Sequence, residues 1–293
     1  MVEAWAAKAI NIDASRWSSA WNLRVKGLSW PAMSSLNGLE ALNLIGFILS
    51  LGFLGYAALR DLEAREVGDH VWLIYGPIGL VLTALRLLYD PGLWRIFSAS
   101  ILLTSALTLL MAYLGLFGGA DAKAFICLSL ANPVWPWRTP ILGWVHPLYP
   151  LAVLYNTYLL TLTVVAYALA RNIHYRLKRG SLFKGFEDAP LGSRILALLT
   201  GYKVSLHDLE ESYLYPMERI RDGERRLTLL VDTEAERENL VQELKREYEA
   251  QGIGEAWATP GLPLLAYAVP ALLATGLLGD ILAKLITYLM ESL

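Results

Sequence analysis

Five apolar runs dominate the chain, over residues 39–59, 71–88, 96–117, 148–170 and 262–278, the last extending toward Met290. Each approaches the roughly 20 residues that a helix needs to cross a bilayer's hydrocarbon core. A shorter run, residues 122–133, follows the turn Gly118-Gly119-Ala120-Asp121. It is too short to span alone, and it predicts a sixth helix only if it continues through Trp135–Trp137 or sits low in the bundle. The pattern predicts an all-α polytopic membrane protein of about six transmembrane helices.

Between the fifth long helix and the last, the pattern changes. Residues 171–260 hold most of the acidic side chains and over half of the basic ones. Within them, Arg225–Val231 and Ile253–Thr259 read as strands, and Leu191–Thr200 as a short apolar helix. Glu234–Gln251 reads as a helix with Leu240, Leu244 and Tyr248 on one face. This predicts a small soluble α+β insertion facing the cytoplasm. The expected organisation is therefore a polar segment over residues 1–36, a five-helix membrane domain over 37–170, the insertion over 171–260, and a C-terminal transmembrane helix over 261–293. In the first segment Trp17, Trp21, Val25 and Leu28 recur at helical spacing, which suits an amphipathic helix lying in the headgroup region.

Composition agrees: 55% of the residues are hydrophobic and 18% charged. A net charge of −2 without a basic stripe gives no reason to expect a nucleic-acid partner. Cys127 is the single cysteine, which excludes an intrachain disulfide. The four histidines are scattered without ligand spacing, so no metal site is expected. No glycine loop for a nucleotide cofactor occurs. Arg171, Arg176, Lys178, Arg179 and Lys184 crowd the exit of the fifth span and assign that end to the cytoplasm.

Counting crossings from there puts Asp61, at the end of the first span, and Asp121, at the start of the short helix, on the same membrane face. Two neighbouring carboxylates cannot both ionise cheaply, so such a pair keeps one proton and can hold a water for hydrolysis. Taken separately, Asp121 reads as a helix N-cap and Asp61 as a solvated charge at the interface. Asp69, in the same loop as Asp61, is the rival for the first position. Glu63, Glu66 and Asp69 read either as an ordinary solvated acidic loop or as a loop that would attract a basic substrate segment. Lys123 reads either as support for an Asp121 anion or as a side chain reaching for headgroups.

The segment from Arg60 through Val67 (Arg-Asp-Leu-Glu-Ala-Arg-Glu-Val), with Gly118-Gly119-Ala120-Asp121-Ala122-Lys123, resembles the archaeal preflagellin and type IV prepilin peptidases, which are GxGD-type intramembrane aspartyl proteases. Ala120 stands where the strict motif has glycine. Residues 199–204 and 213–218 also resemble family segments, so the likeness spans roughly residues 40–290. It implies a cofactor-independent enzyme that removes class III signal peptides from pilin-like or archaellin precursors. The cut falls between a short basic cytoplasmic leader and a hydrophobic helix. Asp61 and Asp121 would be the catalytic pair, with Gly118, Gly119 and Ala120 allowing close backbone approach. Membrane lipids are expected partners, and a homo-oligomer is left open.

Tyr89-Asp90 and Pro270-Ala271-Leu272 resemble elements of presenilin-type and signal-peptide-peptidase-type proteases. The crossing count opposes that alternative by setting Asp90 on the outer face. A non-enzymatic six-span scaffold or transporter is a second alternative. Transporters, however, tend to carry polar breaks at mid-membrane depth, whereas the charges here gather at span ends.

Overall fold

The structure, a computed structural model, describes residues 38–115, 117–136, 141, 147–221, 224–228 and 234–292. The chain divides into two units, Met1–Ala41 and Leu42–Leu293. Only residues 38–41 of the first are described, so the helix expected over residues 1–36 lies outside the described residues.

The apolar runs become helices because lipid offers the backbone no hydrogen-bond partners, and a helix pairs its own. In chain order these are α1 (Gly38–Ala64), α2 (His70–Tyr89), α3 (Trp94–Tyr113), α4 (Gly119–Ala131) and α5 (Tyr149–Arg179). A 3-10 turn, Pro91–Leu93, leads into α3. The insertion follows as α6 (Leu191–Thr200), β1 (Tyr202–Ser205), α7 (Leu206–Glu211), β2 (Leu214–Pro216), β3 (Glu218–Arg221), β4 (Glu224–Leu227), α8 (Glu234–Ala250) and β5 (Glu255–Pro260). Last come α9 (Leu264–Leu278) and α10 (Ile281–Glu291).

Among the described residues four helices are long and apolar enough to cross a membrane: α1, α2, α3 and α5. A fifth is counted if α9 and α10, bent by 62° at their junction, act as one span. The sixth helix of the sequence reading is α4, and at 13 residues it is too short to cross a membrane alone. Its run does not continue through Trp135 because Pro133 follows Asn132, and the residue before a proline is pushed out of the helical region. Asn132 accordingly has φ −139°.

Although short, α4 lies deep in the bundle. Ala122, Ala124, Phe125, Cys127, Leu128, Ser129 and Ala131 are all buried. Two glycines of α2 let it come close. A Cβ on Gly79 would sit 2.8 Å from the Ala131 nitrogen, and one on Gly76 would sit 3.5 Å from Cys127 Sγ. The rest of the core joins Phe47 and Leu54 of α1, Tyr75 of α2, Leu151 and Leu154 of α5, and Leu265 and Leu272 of α9. Outward-facing Leu73, Leu80, Leu102 and Leu109 stay exposed, as lipid-facing side chains do.

The insertion is built on an antiparallel sheet of order β1-β5-β2, with β3 and β4 forming a separate hairpin. Both faces of β5 are covered. Ala256 and Ala258 pack in the cluster that includes Leu244 and Tyr248 of α8, while Trp257 packs with Phe186 and Met217 on the other side. Expected Arg225–Val231 is partly β4, and its residues 229–231 lie outside the described residues. Glu218 is fully buried beneath the sheet, and its carboxylate accepts from Arg225 Nη2 at 2.9 Å, from the Tyr248 hydroxyl and from the Trp257 amide.

α5 carries the insertion. At 31 residues it is about 46 Å long at 1.5 Å per residue, well beyond a hydrocarbon core. Its last turns bond to the insertion instead. Asn172 Nδ2 donates to Leu198 O (3.1 Å) and Gly201 O (2.8 Å), and the Tyr175 hydroxyl donates to Glu255 Oε2 at 2.6 Å.

Candidate active site

Asp61 lies in the last turn of α1, partly buried, and its backbone oxygen accepts from Arg65 N at 3.1 Å. The helix ends on Arg65, which has φ 53°. A non-glycine residue seldom adopts this left-handed conformation except where a helix is being terminated. The Arg65 guanidinium rests over the Tyr213 ring of the insertion, 5.6 Å from its centroid.

Asp121 occupies the first turn of α4. Gly118 is the N-cap, and its amide donates to Asp121 Oδ2 at 3.0 Å. This is the reaching-back half of a capping box, and it fixes the carboxylate against one of the helix's unpaired amides. Gly118 allows this by leaving space: a Cβ there would fall 3.2 Å from Asp121 Oδ2. Gly119 by contrast has nothing within 4 Å of an added Cβ. Ala120 is half-buried against the bundle core. Phe117, just before the turn, stacks on Phe125 at 6.0 Å and on Tyr158 at 5.8 Å.

Asp61 and Asp121 are near enough for the charge of the first to act on the second. Tyr158 of α5 is also within reach of the Asp121 charge. Sequence reasoning missed Tyr158, because a tyrosine inside an apolar run carries no mark that separates it from an ordinary packing residue.

Lys123 does not turn toward Asp121. Its ammonium meets Asp69 Oδ1 at 2.6 Å, so the loop after α1 is tied to the first turns of α4. Asp69 thus has a cationic partner. Glu63 pairs with Arg60 at 3.0 Å on the surface, and Glu66 is exposed. Asp90 accepts from Gly92 N at 2.9 Å at the far end of α2, a 20-residue helix away from Asp69. Among the described residues no cluster of three or more His, Cys, Asp or Glu could hold a metal ion. A cavity of about 400 Å³ lies on the insertion side, lined by Arg65, Thr163, Tyr167, Tyr202, Pro260 and Tyr267 among others.

Comparison with known proteins bears on this arrangement. Residues 48–169 match the type IV leader peptidase family, and residues 193–281 match the archaeal peptidase A24 C-terminus, type II. A preflagellin peptidase of Methanococcus voltae is 24% identical over 248 residues, covering 81% of this chain and 97% of the relative. The first family match contains both aspartate segments and the second most of the insertion. Over these two matched segments the chain belongs to the type IV leader peptidase family.

Proposed function

We propose that the chain is a membrane-embedded aspartic endopeptidase that removes the leader peptides of prepilin- or preflagellin-type precursors, with Asp61 and Asp121 as its catalytic pair. The observation that carries this reading is that Asp61, closing α1, and Asp121, opening α4, are near enough for the charge of one to act on the other. The pair holds one proton between them and activates a water between them. It titrates as a unit, so neither residue is fixed as acid or base. Family membership and the preflagellin peptidase relative support the substrate class. Asp90, capping a turn at the other end of α2, disfavours a presenilin-like pairing with Asp121.

The active-site end faces the cytoplasm in this reading, supported by Arg176, Lys178 and Arg179 in the last turn of α5. α4 then serves as the sixth, incomplete crossing. The test is co-expression with a preflagellin-type precursor and a gel-mobility assay for leader removal. Asp61→Asn and Asp121→Asn each abolish the shift while the protein stays in the membrane fraction, and Asp69→Asn retains it. Cleavage at the unaltered enzyme's rate by either of the first two variants would remove that residue from the mechanism.

A further inference from the structure

A knot of polar side chains lies buried in the bundle, remote from both acids. Asn132, which caps the end of α4, donates through Nδ2 to Gly46 O at 3.0 Å and to the Ser50 hydroxyl, both on α1. The Tyr75 hydroxyl of α2 donates to the same Ser50 oxygen at 2.6 Å. Arg86 of α2, fully buried, donates to Ala131 O at 2.7 Å on α4 and to Leu42 O at 2.8 Å on α1. Thr83 gives its hydroxyl to Leu130 O at 2.6 Å. The last carbonyls of a helix need partners, and here α2 supplies them. Gly46 is required at the centre, since a Cβ there would meet Ala131 O at 2.7 Å and Arg86 Nη2 more closely still.

Such a knot is a costly way to hold helices together. Apolar packing of the same volume would stabilise at least as well, and buried polar groups are best explained where they fix one arrangement among several. The arrangement fixed here is the register of α1 against α4. Asp61 lies eleven residues beyond Ser50, and Asp121 lies eleven residues before Asn132. The two helices run in opposite senses along the chain from this shared point, so each arm measures about 16 Å at 1.5 Å per residue. Equal arms from one pin bring the two acids to the same height. A slip of one residue on either helix would offset them by about 1.5 Å and rotate one carboxylate by about 100°.

We infer that Ser50, Arg86 and Asn132 form a register pin that sets Asp61 level with Asp121, and are positioning residues for leader-peptide cleavage. The inference rests on the assignment of those two acids as the catalytic pair.

Its test uses the full chain in membranes and two readouts. The first is oxidative cross-linking of an Asp61→Cys/Asp121→Cys pair in a Cys127→Ala background, with the pin intact or carrying Asn132→Leu. The second is the cleavage kinetics of Asn132→Leu and Arg86→Met in the otherwise unaltered enzyme. The pin requires slower cross-linking, and a kcat lower by on the order of 10- to 100-fold with KM little changed, since ångström misplacement of reacting groups costs this much. Arg86→Lys, which keeps a cation that can donate to one carbonyl, recovers part of the loss. Where Asn132→Leu fails to reach the membrane folded, Ser50→Ala takes its place. A folded pin variant with unchanged kcat and unchanged cross-linking overturns the proposal. Cross-linking that slows while Asp61→Asn cleaves at the unaltered enzyme's rate overturns the catalytic assignment and leaves the register geometry standing.

Discussion

Lys123 and Asp69 lie 54 residues apart in the chain and meet at 2.6 Å, joining the loop that follows Asp61 to the helix that carries Asp121. The contact gives Lys123 a partner in Asp69, outside the proposed pair. Both partners are exposed, so the bond guides the loop more than it holds the fold. In a double-mutant cycle with Lys123→Met and Asp69→Asn, the coupling should be about 0.2–1 kcal/mol by thermal unfolding. Cleavage should fall less than tenfold in each single variant. A loss as deep as that of Asp61→Asn would make Asp69 a catalytic acid after all.

Asp61→Asn and Asp121→Asn should each lower the cleavage rate by about 10²–10⁴-fold, the usual contribution of positioned acid–base groups. With the proposed shared role of the two carboxylates, the double variant should lose little more than either single one. Initial rates on a purified precursor decide between this and additive losses, which would indicate independent roles.

Gly118 and Gly119 should separate in their effects although they are neighbours. Gly118→Ala puts a methyl 3.2 Å from Asp121 Oδ2 and should displace the carboxylate, lowering kcat with little change in stability. Gly119→Ala meets nothing within 4 Å and replaces a poor helix former, so activity should hold and stability should rise slightly. Equal activity in the two variants would show that the space left beside Gly118 does not set the Asp121 position.

Glu218→Ala should be the most damaging single change in the insertion. It leaves the buried ends of Arg225 and Tyr248 without their carboxylate partner. Breaking a buried pair in this way costs about 3–5 kcal/mol. Hydrogen exchange at the β5 amides, read in the full chain, should accelerate accordingly, while the amides of α2 keep their protection.

The Tyr248 phenol gives the insertion a pH dependence of known sign. Burial, and then the Glu218 carboxylate, push its pKa above the ordinary value. A group raised in the folded state contributes fully below its unfolded value, about 10 for tyrosine, and that contribution fades as pH climbs past it. Unfolding of β5 should therefore steepen above that pH. Tyr248→Phe should flatten the alkaline limb, as followed by hydrogen exchange between about pH 9 and 11.

The sequence pattern anticipated some elements well. Leu240, Leu244 and Tyr248 were expected on one helix face, and all three are buried in α8. The short strands β1 and β2 gave no such signal, because three or four residues are too few for an alternating pattern to stand out. They form only by flanking β5. Lys123 was equally opaque, since its partner comes from a distant loop and no local spacing points to it.

What the sequence determined by itself was the set of long apolar helices, the polar insertion, and the two acid-bearing turns, because hydropathy and turn chemistry are local properties of a chain in lipid. What only the tertiary structure decided was the depth and partners of α4. The halt at Pro133 is written locally, but the carbonyls left over there are satisfied by Thr83 and Arg86 of another helix. Hydrogen bonds between helices depend on how the helices are packed, and it is this packing, through Asn132 and Ser50, that relates the height of one acid to the other.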